Sequence, residues 1–199
     1  MVALTDKQNP LKMSESEYLV FERNSDIKHE YIYGDVIAMA GASWEHNMIC
    51  SSIIASLLPQ LRGESCKVSP SDLRLKVTKT KLYTYPDITV ICGEPKFAGN
   101  EFDTLVNPIV LIEVLSKSTE AYDRGEKFQH YRSIETLQNY LLISQDKPHI
   151  EGYTRQENGT WNLSEAIGLD AHFDIRSISC TLALADVYEN VSFPQTHTE

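Results

Sequence analysis

Two acidic residues sit where a carboxylate is costly. Asp87 lies in the strand-like run Tyr-Pro-Asp-Ile-Thr-Val-Ile, and Glu113 in Ile-Val-Leu-Ile-Glu-Val-Leu, with apolar residues at both i±1 and i±2. An unpaired buried carboxylate costs several kcal/mol or takes up a proton, so Glu113 calls for a cation, either a metal ion or a lysine. The structural alternative is a strand-end acid bonded to backbone amides or to a single Arg or Lys. Asp87 adds a second acid on a strand expected to neighbour that of Glu113, and paired carboxylates suit Mg²⁺ or Mn²⁺, which take oxygen ligands. Pro86 removes a ladder donor and marks the Asp87 strand as irregular, so Asp87 could also simply cap that irregularity.

A third component follows on the next predicted helix. Asp123, Lys127 and Tyr131 fall at i, i+4 and i+8, one stripe on one face. An Asp and Lys pair at this spacing is ordinary on a helix surface and worth a few tenths of a kcal/mol. A helix returning from the end of the Glu113 strand packs on the sheet, however, and can aim that stripe at the carboxylates, making Lys127 the partner of Glu113. Glu30, in Lys-His-Glu-Tyr-Ile-Tyr-Gly-Asp, is a further acid on a predicted hairpin strand. His46, near the start of a long helix, is a weaker candidate, since a lone His there is more often a cap.

The elements that must position these residues can be read from pattern. Residues 1–12 read as a leader, and Ser14 with Glu17 forms a capping box opening a helix to about Arg23. β-formers on both sides of Gly34-Asp35 predict a hairpin over 28–40. Apolar residues at helical spacing predict a helix over 44–61. The segment 72–78 alternates, with Leu73, Leu75 and Val77 inward and Arg74 and Lys76 outward. Strands are predicted over 82–91 and 108–115, a helix over 119–133, a strand over 139–144, a hairpin over 149–167 and a last helix over 182–189.

At 199 residues, with 42% hydrophobic content, the chain suits one mixed α/β domain, placed at 13–192 with a tail at 193–199. Its formal charge of -10 argues against a broadly basic nucleic-acid surface. Binding nucleic acid would then require Arg74, Lys76, Lys79 and Lys81 to gather at the mouth of the site. Cys50, Cys66, Cys92 and Cys180 stand far apart with no CxxC pair, and read as buried thiols of a reducing compartment rather than a zinc site or a disulfide framework. No apolar run is long enough to span a bilayer, and residues 1–9 lack the apolar core of a signal peptide, so a cytoplasmic protein is expected.

The order of the runs His-Glu-Tyr-Ile-Tyr-Gly-Asp-Val-Ile-Ala-Met-Ala, Ser-Trp-Glu-His, Ser-Asp-Leu-Arg-Leu, Tyr-Pro-Asp-Ile-Thr-Val, Leu-Ile-Glu-Val-Leu-Ser-Lys-Ser-Thr and Asp-Arg-Gly-Glu-Lys-Phe-Gln-His-Tyr resembles the Uma-two-type endonuclease-like family. The likeness runs from about Ser14 to Glu189. It implies a restriction-endonuclease-like core of the PD-(D/E)xK superfamily, with Asp87 and Glu113 as metal-binding acids and Glu30 as an additional acid. The superfamily's lysine is expected two residues past the second acid, where this chain has Leu115. The resemblance implies a lysine moved to the next helix, Lys127, accompanied by Asp123 and Tyr131, with Lys117 competing. It further implies a Mg²⁺- or Mn²⁺-dependent endonuclease, acting on DNA as a homodimer. The alternative is a catalytically weak nuclease fold acting as a nucleic-acid-binding or protein-interaction module.

Overall fold

The computed structural model describes residues 11–39 and 41–193. Along the chain run β1 (Leu11–Lys12), α1 (Glu15–Arg23), β2 (His29–Ile32), β3 (Asp35–Ala38), α2 (Trp44–Gln60), β4 (Cys66–Pro70), β5 (Arg74–Val77), β6 (Leu82–Thr84), β7 (Ile88–Cys92), β8 (Thr104–Leu105) and β9 (Val110–Leu115). There follow α3 (Glu120–Tyr122), a π-helical turn (Asp123–Lys127), α4 (Phe128–Tyr131), β10 (Asn139–Ser144), β11 (His149–Arg155), β12 (Trp161–Ile167), β13 (His172–Ile175), β14 (Cys180–Ala183) and α5 (Leu184–Val187). Two mixed six-stranded sheets result, ordered β1-β3-β2-β6-β5-β8 and β12-β11-β10-β9-β7-β4.

The second sheet is buried on both faces around β9, which explains why that strand is almost continuously apolar. Val110, Ile112 and Val114 face a core shared with Ile49, Ile53 and Leu57 of α2 and with β13 and β14. Leu111 and Leu115 face the opposite core, shared with Leu75, Val77 and Leu82 of the first sheet and with Tyr131. Glu113 alternates with the latter pair, so strand pleating alone directs its carboxylate into the space between the sheets.

Several sequence expectations are corrected. The predicted strand over 82–91 is two strands in two sheets, broken at Tyr85-Pro86-Asp87, where proline cannot donate to a ladder. The hairpin turn is Tyr33-Gly34 rather than Gly34-Asp35, because Ile32 pairs with Asp35, and both turn residues take positive φ (51° and 98°). Leu11 and Lys12 are not leader but β1, paired with β3, while residues 1–10 lie outside those described. Leu182 and Ala183 belong to β14, and only Leu184–Val187 of the last predicted helix is helical, since β13 claims the preceding residues. Phe193 packs against the core and onto Tyr188, so it is not tail. Cys66 and Cys92 oppose each other on β4 and β7, Cα atoms 3.9 Å apart, and form a disulfide; strand pairing brings together what 26 residues of sequence separate. No helix among the described residues is long and apolar enough to cross a membrane.

Candidate metal centre

The antiparallel register of β7 and β9 pairs Ile88 with Ile112, which sets Asp87 directly across from Glu113, one step beyond the last paired residues. There the Asp87 side chain takes over the ladder's role: the Val114 N–H donates to Asp87 Oδ2 at 2.8 Å. The strand break that costs a backbone bond is thereby closed by the acid itself. A ring nitrogen of His46, in the first turn of α2, lies 3.0 Å from the same oxygen.

Glu113 is 3% exposed and meets two partners through one oxygen. Tyr131 Oη donates to Glu113 Oε1 at 2.7 Å, and Lys127 Nζ stands 2.9 Å from it. Lys127 Nζ is also 3.3 Å from Asp123 Oδ1 and 3.8 Å from Glu30 Oε1. The helix carrying this stripe widens into a π turn over Asp123–Lys127, and both end residues of the turn are buried. Tyr140 Oη donates to the Asp123 carbonyl at 3.1 Å within that turn. Glu30 reaches the cluster from β2, where pairing with β6 puts it beside Thr84, whose hydroxyl donates to it.

The structure thus brings Glu30, Asp87, Glu113, Asp123, Lys127 and Tyr131 into one region, with His46 on Asp87. Lys117 lies on the rim with its side chain 87% exposed, 4.0 Å from Asp146. The basic residues expected at the mouth are elsewhere. Arg74 is buried against Asp103, Lys76 pairs with Glu15, and Lys79 pairs with Glu135. Arg74 faces inward rather than outward, because β8 and the loop before it cover that side of β5.

A cavity of about 690 Å³ opens onto Glu30, Asp87, Glu113, Asp123 and Lys127, with Lys117 at its edge. Its charge is lopsided: seven acidic side chains line it against two lysines, the buried Lys127 and the exposed Lys117. Burial, reinforced by the charges of Asp87 and Asp123, outweighs Lys127 and pushes the Glu113 carboxyl up to about 8. Lys127, although burial works against its charge, is held above the usual lysine range by Glu113, Tyr131 and the other acids. It is therefore a fixed cation at neutral pH.

Residues with oxygen donors surround the space left in this cluster, as a hard divalent ion requires. Among the described residues, Asp87 Oδ1, Glu113 Oε2 and Glu30 Oε2 receive no hydrogen bond, while each residue's other oxygen is occupied. The Tyr122 hydroxyl is buried in the same wall, beside the Glu30 carboxyl. Deficient positive charge and free carboxylate oxygens together fit a bound Mg²⁺ or Mn²⁺.

Sequence reasoning passed over Thr84, Tyr122 and Cys50. Thr84 and Tyr122 carry no linear signal, because a threonine in a strand and a tyrosine in a helix are equally at home in any core. Cys50 had one, since it follows His46 by a single helical turn.

A solved structure of a putative nuclease from Anabaena variabilis overlays with a TM-score of 0.72 at 20% identity, covering 89% of this chain and 98% of that one. The shared architecture is that of restriction-endonuclease-like nucleases. Residues 15–185 match the Uma2 family, described as putative restriction endonuclease. The chain belongs to that family. Two uncharacterized Synechocystis proteins are similar over most of their length. One is 35% identical over 92% of this chain and 94% of its own, the other 36% identical over 81% and 92%.

Proposed function

We propose that this protein is a Mg²⁺- or Mn²⁺-dependent endonuclease that hydrolyses phosphodiester bonds of nucleic acid, DNA in the first instance. The observation that carries the reading is the placement of Asp87 and Glu113 across one register step, their free oxygens beside a cavity and a buried ammonium on Glu113. Asp87 and Glu113 would hold the ion, with Glu30 as a further oxygen ligand. A divalent ion in such a site neutralises charge that develops on the phosphate and favours ionisation of water.

The chain's own residues supply the rest. Lys127 donates hydrogen bonds, stabilises negative charge and would position the attacking water or help deprotonate it. Tyr131 and Asp123 hold the Lys127 and Glu113 side chains in place. The Val114 N–H does the same for Asp87. A homodimer, which would present two such clefts to a duplex, belongs to the same reading.

A binding module without efficient cleavage is the second reading. It is favoured by the charge of -10 and by the engagement of Arg74, Lys76 and Lys79 away from the cavity mouth. Incubating the purified protein with single- and double-stranded DNA and RNA, with and without Mn²⁺, separates the two. Cleavage that needs Mn²⁺ and disappears in Asp87→Ala and Glu113→Ala is the expected result. Cleavage indifferent to both substitutions, or nucleic-acid binding with no cleavage, would end the nuclease reading. Calorimetric titration with Mn²⁺ tests the ion site separately, and sedimentation the oligomeric state.

A further inference from the structure

On the α2 side of Asp87 lies a set of side chains of different chemical character. His46 and Cys50 are one helical turn apart on α2 and share a face. One ring nitrogen of His46 is 3.0 Å from Asp87 Oδ2, while Nδ1 is 3.7 Å from Cys50 Sγ. A ring nitrogen, the Cys50 sulfur and an Asp87 oxygen all lie within 4.8 Å of one another. Tetrahedral zinc, with bonds of about 2.0–2.3 Å, holds its ligands roughly 3.3–3.8 Å apart, so each atom need move inward by only about an ångström. His46 and Asp87 both line the cavity, which leaves a fourth position open to solvent. Three protein ligands and one open position are the pattern of a reactive rather than a purely structural zinc site.

We infer that His46, Cys50 and Asp87 form a second, thiophilic divalent-cation site that takes Zn²⁺ or Co²⁺ and shares Asp87 with the oxygen-ligated ion. The inference rests on the reading of Asp87 as a cation ligand. Mg²⁺ has no use for a thiol, and a softer ion gains from sulfur and imidazole. The two occupancies compete, because both ions draw on the Asp87 carboxylate, Oδ2 beside His46 and the free Oδ1 beside Glu113, and two divalent charges on one carboxylate repel each other. Binding releases the Cys50 thiol proton to the buffer, and no oxidation is involved. Zn²⁺ therefore acts as an inhibitor of the Mg²⁺-supported reaction rather than as a substitute cofactor.

The test is Co²⁺ titration of the full chain after chelator treatment, followed by absorbance. The expected result is a near-ultraviolet thiolate-to-cobalt band with tetrahedral visible bands, displaced by Zn²⁺. Cys50→Ser should remove the thiolate band and weaken Zn²⁺ binding at least about tenfold. His46→Gln should weaken binding similarly, and Cys180→Ser should leave the spectrum intact. Absence of the band in the unmodified chain, or its survival in Cys50→Ser, overturns the site. Zn²⁺ inhibition, scored against each variant's own Mg²⁺ rate, should weaken at least tenfold in Cys50→Ser; unchanged inhibition overturns the competition. If DNA is cleaved with Mg²⁺ yet no thiolate band forms, this proposal fails and the nuclease reading stands. If the band forms without cleavage under any condition, the site stands and the nuclease reading fails.

Discussion

The guanidinium of Arg74 and the ammonium of Lys127 are both nearly sealed from solvent, at 3% and 5% exposure, yet they keep different company. Arg74 Nε donates to Thr104 Oγ1 at 2.9 Å, and its terminal nitrogens reach the Tyr85 hydroxyl and Asp103. Arg23 also pairs with Asp103, and Glu22 accepts from Tyr85 and from the His29 backbone while facing the His29 ring. Two arginines thus stand against two carboxylates. Despite partial burial, Asp103 is pulled down to about 2 by Arg23, Thr104 and Arg74. Around Lys127 the acids outnumber the base, and Glu113 moves the opposite way, up to about 8. One cluster is balanced in charge and serves the fold, linking α1 to the first sheet. The other is short of positive charge, which is what the proposed cation site requires.

That contrast can be broken by substitution. The largest separation is expected between Lys127→Met and Arg74→Met. The former should cut Mn²⁺-dependent cleavage by at least about 10²-fold. The latter should leave cleavage within a few-fold of the original and lower unfolding free energy by about 3 kcal/mol, because Asp103 and Tyr85 lose a buried partner. Denaturant unfolding and single-turnover cleavage, measured on both, decide whether the clusters differ as described. Equal loss of activity in the two would erase the distinction.

Metal addition should act on one cluster only. At about 100 times its Kd, Mn²⁺ should stabilise the unmodified chain by about 2.7 kcal/mol and Arg74→Met by the same amount. Glu113→Gln should gain almost nothing. Smaller, but opposite in sign, are the neutralising substitutions in the metal-free state. Above the Glu113 titration, at pH 9, Glu113→Gln removes a surplus buried charge and should stabilise by about 1 kcal/mol. Asp103→Asn removes a balanced one and should destabilise by about 1 kcal/mol after allowance for its partial exposure. Thermal melts that move in the same direction would contradict the charge count.

The pH dependence follows with its sign. The folded protein holds a proton on Glu113 between its ordinary carboxyl range and about 8, so the metal-free protein should lose stability as pH rises through that window. Asp103 does the reverse: its contribution is present above the ordinary carboxyl range and fades as pH falls toward about 2. Unfolding midpoints followed from pH 4 to 9 should therefore decline in the unmodified chain and flatten in Glu113→Gln. A profile that Glu113→Gln does not alter would place the titration elsewhere.

Much of this site was legible in the sequence because burial leaves a pattern. Glu113 stands out only against the apolar run of β9, and the Asp123, Lys127 and Tyr131 stripe is a periodicity. The Ser14 and Glu17 capping box is likewise local, and it is present at the start of α1. What escaped depends on long-range partners. Arg74 alternates like a solvated residue, and only the arrival of Asp103 and Thr104 from 30 residues on makes its side of β5 an interior. Leu182 and Ala183 have helical spacing, but pairing with Phe173 and His172 overrides it. The turn at Tyr33-Gly34 is chosen because Tyr31 and Val36 must both enter the core, and a one-residue slip would reverse their faces.

The bond from the Val114 N–H to Asp87 gives the pair of acids an unusual sort of ruler. Their separation is measured in rungs of a ladder rather than by the fit of neighbouring side chains, so it has no intermediate settings. Packing substitutions around β7 and β9 would soften the protein without moving the two carboxylates apart. Adding or deleting one residue between Thr84 and Ile88 would instead put Asp87 on the wrong face in a single step. Substitutions in the cavity walls are therefore gradual in effect, while a change in the length of that short crossing between the sheets is all or none.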